Sequence, residues 1–407
     1  MPDLHATLHP LYDHVHGKRK LDRHVLLFGL NMLLVLVGYV ATILFNALAI
    51  IKVLRIAIMV LSFGYLLYQW VPARYAVRPI RHYVLLAYIL GILAFLPFSV
   101  DVFTSLERFL TVAPFWLYIN AFAFYMRGRY GGPDSLRRFM WLFLVVYSFP
   151  VLVFCLSGNP FARLSIYGDD STGFYSNQLG WASVVVVGCL LSLLPQWAAV
   201  RKYWFLWAGA MLLCLWLLLI TGSRSSYLSL GAVLLVLLVF SRSVGILPKV
   251  TVALLIGLGI YLSINIKESA VAQRLDKTRN QLEKVEPRLQ SARLAFRALD
   301  LENHRYVTGL GFDVYTESVR KITGIKPINA HNSYLELLVC TGVLVFGIFA
   351  LGLVVPALVR YFVFDARTFC FVPPILIIPY FENNIGAGQF IFFPWMLLLF
   401  FYLHDSR

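Results

Sequence analysis

The sequence predicts an all-α polytopic membrane protein, and three observations carry that prediction. Of its 407 residues 60% are hydrophobic and only 14% charged, with a mean hydropathy of +0.75, so most of the chain must face lipid or pack among helices that do. Apolar runs of roughly 20 residues, the length a helix needs to cross a bilayer, recur from end to end. The strict period-2 alternation of a membrane β-barrel does not occur, which leaves helices as the spanning elements.

Taken in order, the runs place twelve spans at 25–45, 53–71, 82–99, 103–125, 138–156, 177–195, 202–220, 225–241, 248–265, 333–359, 369–381 and 389–404. The first follows Lys18, Arg19, Lys20 and Arg23 and has no small-residue cleavage site, so it reads as an uncleaved span rather than a signal peptide. The five cysteines stand singly inside apolar runs, without a disulfide framework or a CxxC metal pair. With the amino terminus in the cytoplasm, eighteen of the 35 Lys and Arg fall on the cytoplasmic loops and termini, five on short external loops and twelve on one long external loop. That bias puts both termini inside. The organisation is then a cytoplasmic segment 1–24, a membrane domain 25–265, a helical external loop 266–332, and a membrane domain with a short tail, 333–407.

The external loop is formally basic, on the side that charge sorting keeps poor in cations; long loops cross regardless of charge. A solvated surface beside anionic headgroups and an anionic substrate both fit. From Lys267 to Asp300 it reads as helix, with Leu275, Leu282, Leu289 and Phe296 at heptad spacing, and Pro287 divides it. In the second piece, at about 100° per residue from Arg288, the positions Leu289, Ala292, Ala295, Phe296 and Leu299 form an apolar arc from about −20° to +100°. Arg288 lies on that arc, whereas Arg293 and Arg297 lie toward the polar side. An arginine facing packed surface needs a negative partner, either a local glutamate or the oxygens of a phosphate that fit its planar fork.

Arg224, in "TGSRSSYL" (221–228), sits in a turn so short that it is pinned at the external membrane face. Ser223 and Ser225 offer hydroxyls there, and the following helix adds backbone amides and the positive end of its dipole; a cap with a snorkelling arginine fits as well. Farther on, Ser333-Tyr334-Leu335-Glu336 reads as a capping box, with Ser333 as N-cap and Glu336 reaching back, so that a span starts at 333. His331 falls just outside that helix, where the dipole disfavours imidazolium and a neighbour such as Asn332 can fix its tautomer, the condition of a general base. By the charge count Arg224, Arg288 and His331 share one membrane face. Two anion binders and a base suggest transfer from a phosphate-activated donor to a hydroxyl.

At these residues the chain resembles the bacterial O-antigen ligase family and its relatives, the O-antigen polymerases and protein O-oligosaccharyltransferases. The resemblance rests on "TGFYSNQLGWAS" (172–183), "TGSRSSYL", the arginine-led stretch followed by "GLGFDVY" (309–315), and "AHNSYLELLVCTG" (330–342). It covers roughly residues 170 to 345. Cys340 departs from it where many relatives carry an acidic residue; Glu336 or Glu382 could substitute.

The resemblance implies an inner-membrane, GT-C-type glycosyltransferase whose site faces the periplasm. Such an enzyme takes O-antigen from undecaprenyl pyrophosphate and joins it, with inversion, to a hydroxyl of lipid A-core. It also implies that Arg224 and Arg288 hold the pyrophosphate, that His331 deprotonates the acceptor, and that no metal or other cofactor takes part. Its partners would be the lipid-linked donor, the glycolipid acceptor and membrane lipids, with no nucleic acid. The external loops lack a DxD motif, and Asp169-Asp170 is the one adjacent acidic pair a metal could use. Ligase, polymerase and protein-modifying readings share this chemistry. A secondary transporter also has twelve spans, but related halves and midplane polar breaks are not seen in the sequence. Glu382, in "YFENNIGAGQF" (380–390), reads as part of a capped turn, or as a group that contacts sugar or assists His331, and the histidines at 5, 9, 14 and 16 receive no role.

Overall fold

Apolar residues along nearly the whole chain leave the backbone one way to satisfy its own N–H and C=O groups in lipid. The computed structural model is accordingly helical, with no strand among its described residues. These are 22–45, 48–70, 80–130, 132–156, 176–196, 201–221, 223–240, 287–327, 332–363, 369–381 and 393–405, with parts of 245–261.

Before the external loop run Arg23–Phe45 (α1), Leu48–Trp70 (α2), Ile80–Phe95 (α3), Val102–Tyr130 (α4), Gly132–Leu156 (α5), Ser176–Leu191 (α6), Trp204–Thr221 (α7) and Arg224–Leu235 (α8). The loop contributes Pro287–Leu301 (α9), Arg305–Thr308 (α10) and Tyr315–Thr323 (α11). Ser333–Phe349 (α12), Val355–Val363 (α13), Val372–Phe381 (α14) and Phe393–Asp405 (α15) complete the chain. Helices thus stand at the expected span positions except 248–265, which lies largely outside the described residues. Among the described residues, five stretches are long and apolar enough to cross a membrane: Ile80–Phe98, Val102–Tyr130, Arg137–Leu156, Arg201–Thr221 and Ser333–Val363. Shorter apolar pieces come from α1, α2, α6 and α8.

α4 packs on α2 and α15, α5 on α1 and α6, and α6 on α7, α8 and α14, around a core that buries Trp116, Tyr118, Phe122 and Tyr147. Lipid gives helices no hydrophobic reason to associate, so buried polar bonds matter. Asn31 Nδ2 donates to Ser62 Oγ at 2.6 Å and to Tyr118 OH at 2.9 Å, joining α1, α2 and α4. Arg81 Nη1 donates to the Phe401 carbonyl at 2.8 Å, joining α3 to α15.

The expected uninterrupted span from Ser333 is corrected. Gly342 has φ 77° and ψ 166°, outside any helix, and divides the run into arms 333–341 and 343–363. The second arm descends along α3: a Cβ on Gly91 would meet Val345, and one on Gly352 would meet Val84. The first turns back into the bundle, where Tyr334 OH donates to the Leu376 carbonyl at 3.0 Å midway along α14. A straight helix would hold Tyr334 and Val354 about 30 Å apart. Both instead line one cavity beside a single turn of α14.

The break frees two carbonyls that a continuous helix would have used, and the segment 305–314 between α9 and α11 takes them. Leu310 N donates to Val339 O at 2.9 Å and Gly311 N to Cys340 O at 3.0 Å. Such close approach requires glycine on both sides, since a Cβ at Gly309 would strike the Cys340 carbonyl and one at Gly342 the Val307 carbonyl. The N-cap is corrected too. Asn332, not Ser333, has the extended backbone a cap needs, and its Oδ1 accepts from Leu335 N at 3.0 Å; Ser333 is already helical and fully buried.

The loop is also fastened to the corner between α3 and α4. Val100 N donates to Leu310 O at 3.0 Å, Arg305 Nη1 to Phe98 O at 2.9 Å, and Lys321 Nζ to Asp101 Oδ2 at 3.1 Å. Two loops assigned to one face by charge sorting therefore touch. In α9, which starts at Pro287 as a first-turn proline can, the buried face is Ser291, Ala295, Ala298 and Leu299. Leu289 and Phe296, expected to point inward, are exposed, because the helix packs closely through its small residues and turns by about 75° from the expected arc. The proposed first helical piece, up to residue 286, lies outside the described residues.

Gly342→Ala and Gly309→Ala should each cost about 3 kcal/mol or more, since carbonyls would have to move. Gly324→Ala, at φ 72° with open space around it, should cost only about 1–2 kcal/mol; thermal unfolding of the detergent-purified variants would show equal losses if no such lock existed. The Asp101 carboxyl is held below the usual carboxylate range by the Thr104 N–H and by Lys321. A depressed folded pKa stabilises docking above the unfolded value of about 4 and ceases to do so as pH falls through the folded one. Proteolysis within 287–327 should accelerate below about pH 4, and Asp101→Asn should produce faster cleavage already at neutral pH.

Candidate functional site

The first turn of α8 is built by hydroxyls. Ser223 is its N-cap, its Oγ accepting from Ser226 N at 3.4 Å and from Ser226 Oγ at 2.9 Å, and Trp181 Nε1 donates to Ser225 Oγ at 3.1 Å. All three serines are buried, and Ser223 and Ser226 lie against Gly180 of α6, where a Cβ would meet Thr221 Oγ1 at 2.8 Å and Ser226 Oγ at 2.9 Å. The Trp181–Ser225 bond fastens α8 to α6, and the Ser223–Ser226 bonds close the turn itself. They leave Arg224, the first residue of α8, exposed at the positive end of the helix.

Arg288 stands in the first turn of α9, on the register of Ser291, Ala295 and Leu299. That face meets α11 and α12, and its contact is sealed by Tyr315, whose OH donates to the Ser291 carbonyl at 2.9 Å. Burial pushes the Tyr315 phenol up to about 12, so it remains a donor throughout the neutral range. His331, Glu382 and the pair Asp169-Asp170 lie outside the described residues. Asn332 caps α12 immediately after His331.

Glu336, one turn into α12, is 7% exposed, and its Oε2 has no hydrogen-bond partner among the described residues. It lies within electrostatic reach of Arg108, Asp313 and Glu317. Arg108 donates to the Asp313 carbonyl, and its guanidinium lies 3.7 Å from Asp313 Oδ2 and 3.6 Å from Glu317 Oε1. Sequence reasoning counted Arg108 only as a loop cation. Its partner Asp313, at φ 58°, ends the glycine motif "GLGFD", and that motif was the signal available.

A cavity of 490 Å³ lies between α8, α12, α13 and α14. Leu228 of α8, Tyr334 of α12, Val354, Leu358 of α13, and Leu376, Ile377 and Tyr380 of α14 line it. Leu228 is one turn beyond Arg224, and Tyr334 two residues beyond Asn332. Segments more than a hundred residues apart thus flank one apolar space, and the exposed Arg224 precedes its Leu228 wall by one helical turn. The structure brings α8 and α12 together around this cavity and α9 onto α12; it does not describe the side chains of Arg288 or His331.

Residues 209–350 match the family model described as O-antigen ligase. A comparison with curated proteins finds no match. The matched segment runs from α7 through α8, the loop helices α9–α11 and the break in α12, and over it the chain is similar to the O-antigen ligase family, the one its motifs resemble.

Proposed function

We propose that this chain is an O-antigen ligase, which moves O-antigen from undecaprenyl pyrophosphate to a hydroxyl of lipid A-core at the periplasmic face of the inner membrane. The observation that carries the reading is the apolar cavity shared by α8 and α12. An isoprenoid chain in that cavity puts its diphosphate beside Arg224 and the amides of α8, with Arg288 entering from the first turn of α9. Guanidinium forks match phosphate oxygens and offset the charge that develops on the leaving diphosphate, so no cation is required. His331 takes the proton of the acceptor hydroxyl while the hydroxyl oxygen bonds to the anomeric carbon and the bond to the diphosphate oxygen breaks from the opposite side. Asn332 orders the start of the arm carrying that base. The unpaired Oε2 of Glu336 is the nearest buried carboxylate in sequence. The architecture that accompanies this reading is a GT-C-type bundle of twelve spans, with both termini cytoplasmic and residues 266–332 in the periplasm.

Reconstitution with lipid-linked glycan and lipid A-core should yield joined product, and the donor alone should yield no longer lipid-linked glycan. The reverse outcome makes the protein a polymerase. His331→Ala should lower kcat at least about 100-fold without loss of folded protein, and unchanged turnover would remove the base. Arg224→Lys should remain about tenfold impaired because the fork is gone. Leu228→Trp should raise KM for the undecaprenyl donor much more than for a short-chain polyprenyl donor, whereas equal effects would place the lipid elsewhere.

A further inference from the structure

The outer face of α9 has no place in the chemistry above. Its buried side is made of small residues, so two of its large apolar side chains are left outside: Leu289 is 49% exposed and Phe296 41%. On a helical projection they lie within about 20° of each other, with Arg293 and Arg297 about 40–100° farther round the same side. Both arginines are exposed, and neither has an ion pair among the described residues. The one acid on this stripe, Asp300, is engaged by the hydroxyl of exposed Tyr306. Apolar side chains bordered by free cations, with an aromatic hydroxyl beside them, are the composition of a helix that lies in a headgroup layer.

We infer that α9 rests its outer face on the membrane from which the loop emerges, with Leu289 and Phe296 at the acyl boundary and Arg293 and Arg297 on the phosphates of anionic lipid. Charge complementarity selects this occupant. A purely apolar partner would leave two arginines desolvated without counter-charge, and a zwitterionic lipid surface offers them phosphates but no net negative potential. The inference needs only that the chain is a membrane protein and stands whether or not the transfer chemistry does. It also gives the register of α9 a consequence, because holding Arg293 and Arg297 in the headgroups turns the opposite face, on which Arg288 stands, toward α11 and α12.

The test uses the full chain, with exposed Cys155 replaced by Ser and a polarity-sensitive fluorophore placed at Phe296→Cys; the other cysteines are buried. It is reconstituted in vesicles of phosphatidylcholine alone or mixed with phosphatidylglycerol, and quenched by lipids brominated near the headgroup or by aqueous acrylamide. With phosphatidylglycerol present, the label should be quenched by brominated lipid and shielded from acrylamide, while the same label at Gln290→Cys stays accessible to acrylamide. Arg293→Gln and Arg297→Gln should each weaken the lipid-quenched population about fivefold. A label at 296 that is equally open to acrylamide in every vesicle overturns the inference. So does lipid contact that appears only when a phosphorylated glycolipid is added, which would assign the face to the acceptor.

Discussion

A membrane helix can be broken only where protein satisfies the backbone groups that the break exposes. In this chain that condition is met at Gly342, and the rest of the site depends on it. The carbonyls of Val339 and Cys340 lose their helical partners and accept from Leu310 and Gly311 instead. The exchange binds the external loop to the membrane bundle through main-chain bonds, which are indifferent to side-chain identity but intolerant of a Cβ. Three glycines at positive φ, Gly309, Gly311 and Gly342, follow from that geometry. The same break sends 333–341 back toward α14, and so places the start of α12 beside the cavity.

Electrostatics then act on a scaffold already fixed. Arg108, Asp313 and Glu317 form a charged cluster at the contact between loop and α4, above the buried carboxylate of Glu336. Arg108 and Glu317 are partly open to solvent, so this cluster adds modestly to the docking that the main-chain bonds already fix. On the other side of the cavity, Ser225 ties α8 to Trp181 of α6 and Ser223 caps the first turn with Ser226, and Arg224 stands exposed as the first residue of that helix.

Long apolar runs made most helix positions legible in the sequence, because lipid enforces helical backbone wherever it surrounds the chain. The start of α8 at Arg224 and of α9 at Pro287 were readable from a serine cap and a proline. The broken span was not: hydropathy continues unbroken through Gly342, and only the pairing of that glycine with "GLGFD", thirty residues earlier, distinguishes it from any glycine in a membrane helix. Ser333 was mistaken for the cap because Asn332 and Ser333 are both competent, and local sequence does not fix which one has extended backbone. In α9 the heptad of large residues suggested the inward face, whereas close packing chose the small ones. Arg108 carries no local motif at all; its role comes from a partner two hundred residues away.

The central claim is that α8 and the returning arm of α12 enclose the lipid portion of a diphosphate-headed substrate. Photolysis of the reconstituted protein with a polyprenyl diphosphate carrying a diazirine in its chain, followed by peptide mapping, tests it most directly. Labels should concentrate at Leu228, Tyr334 and the 376–380 turn of α14, and excess unlabelled polyprenyl diphosphate should compete them away. Labelling confined to α1–α5, or spread evenly over every lipid-facing helix, would contradict the account.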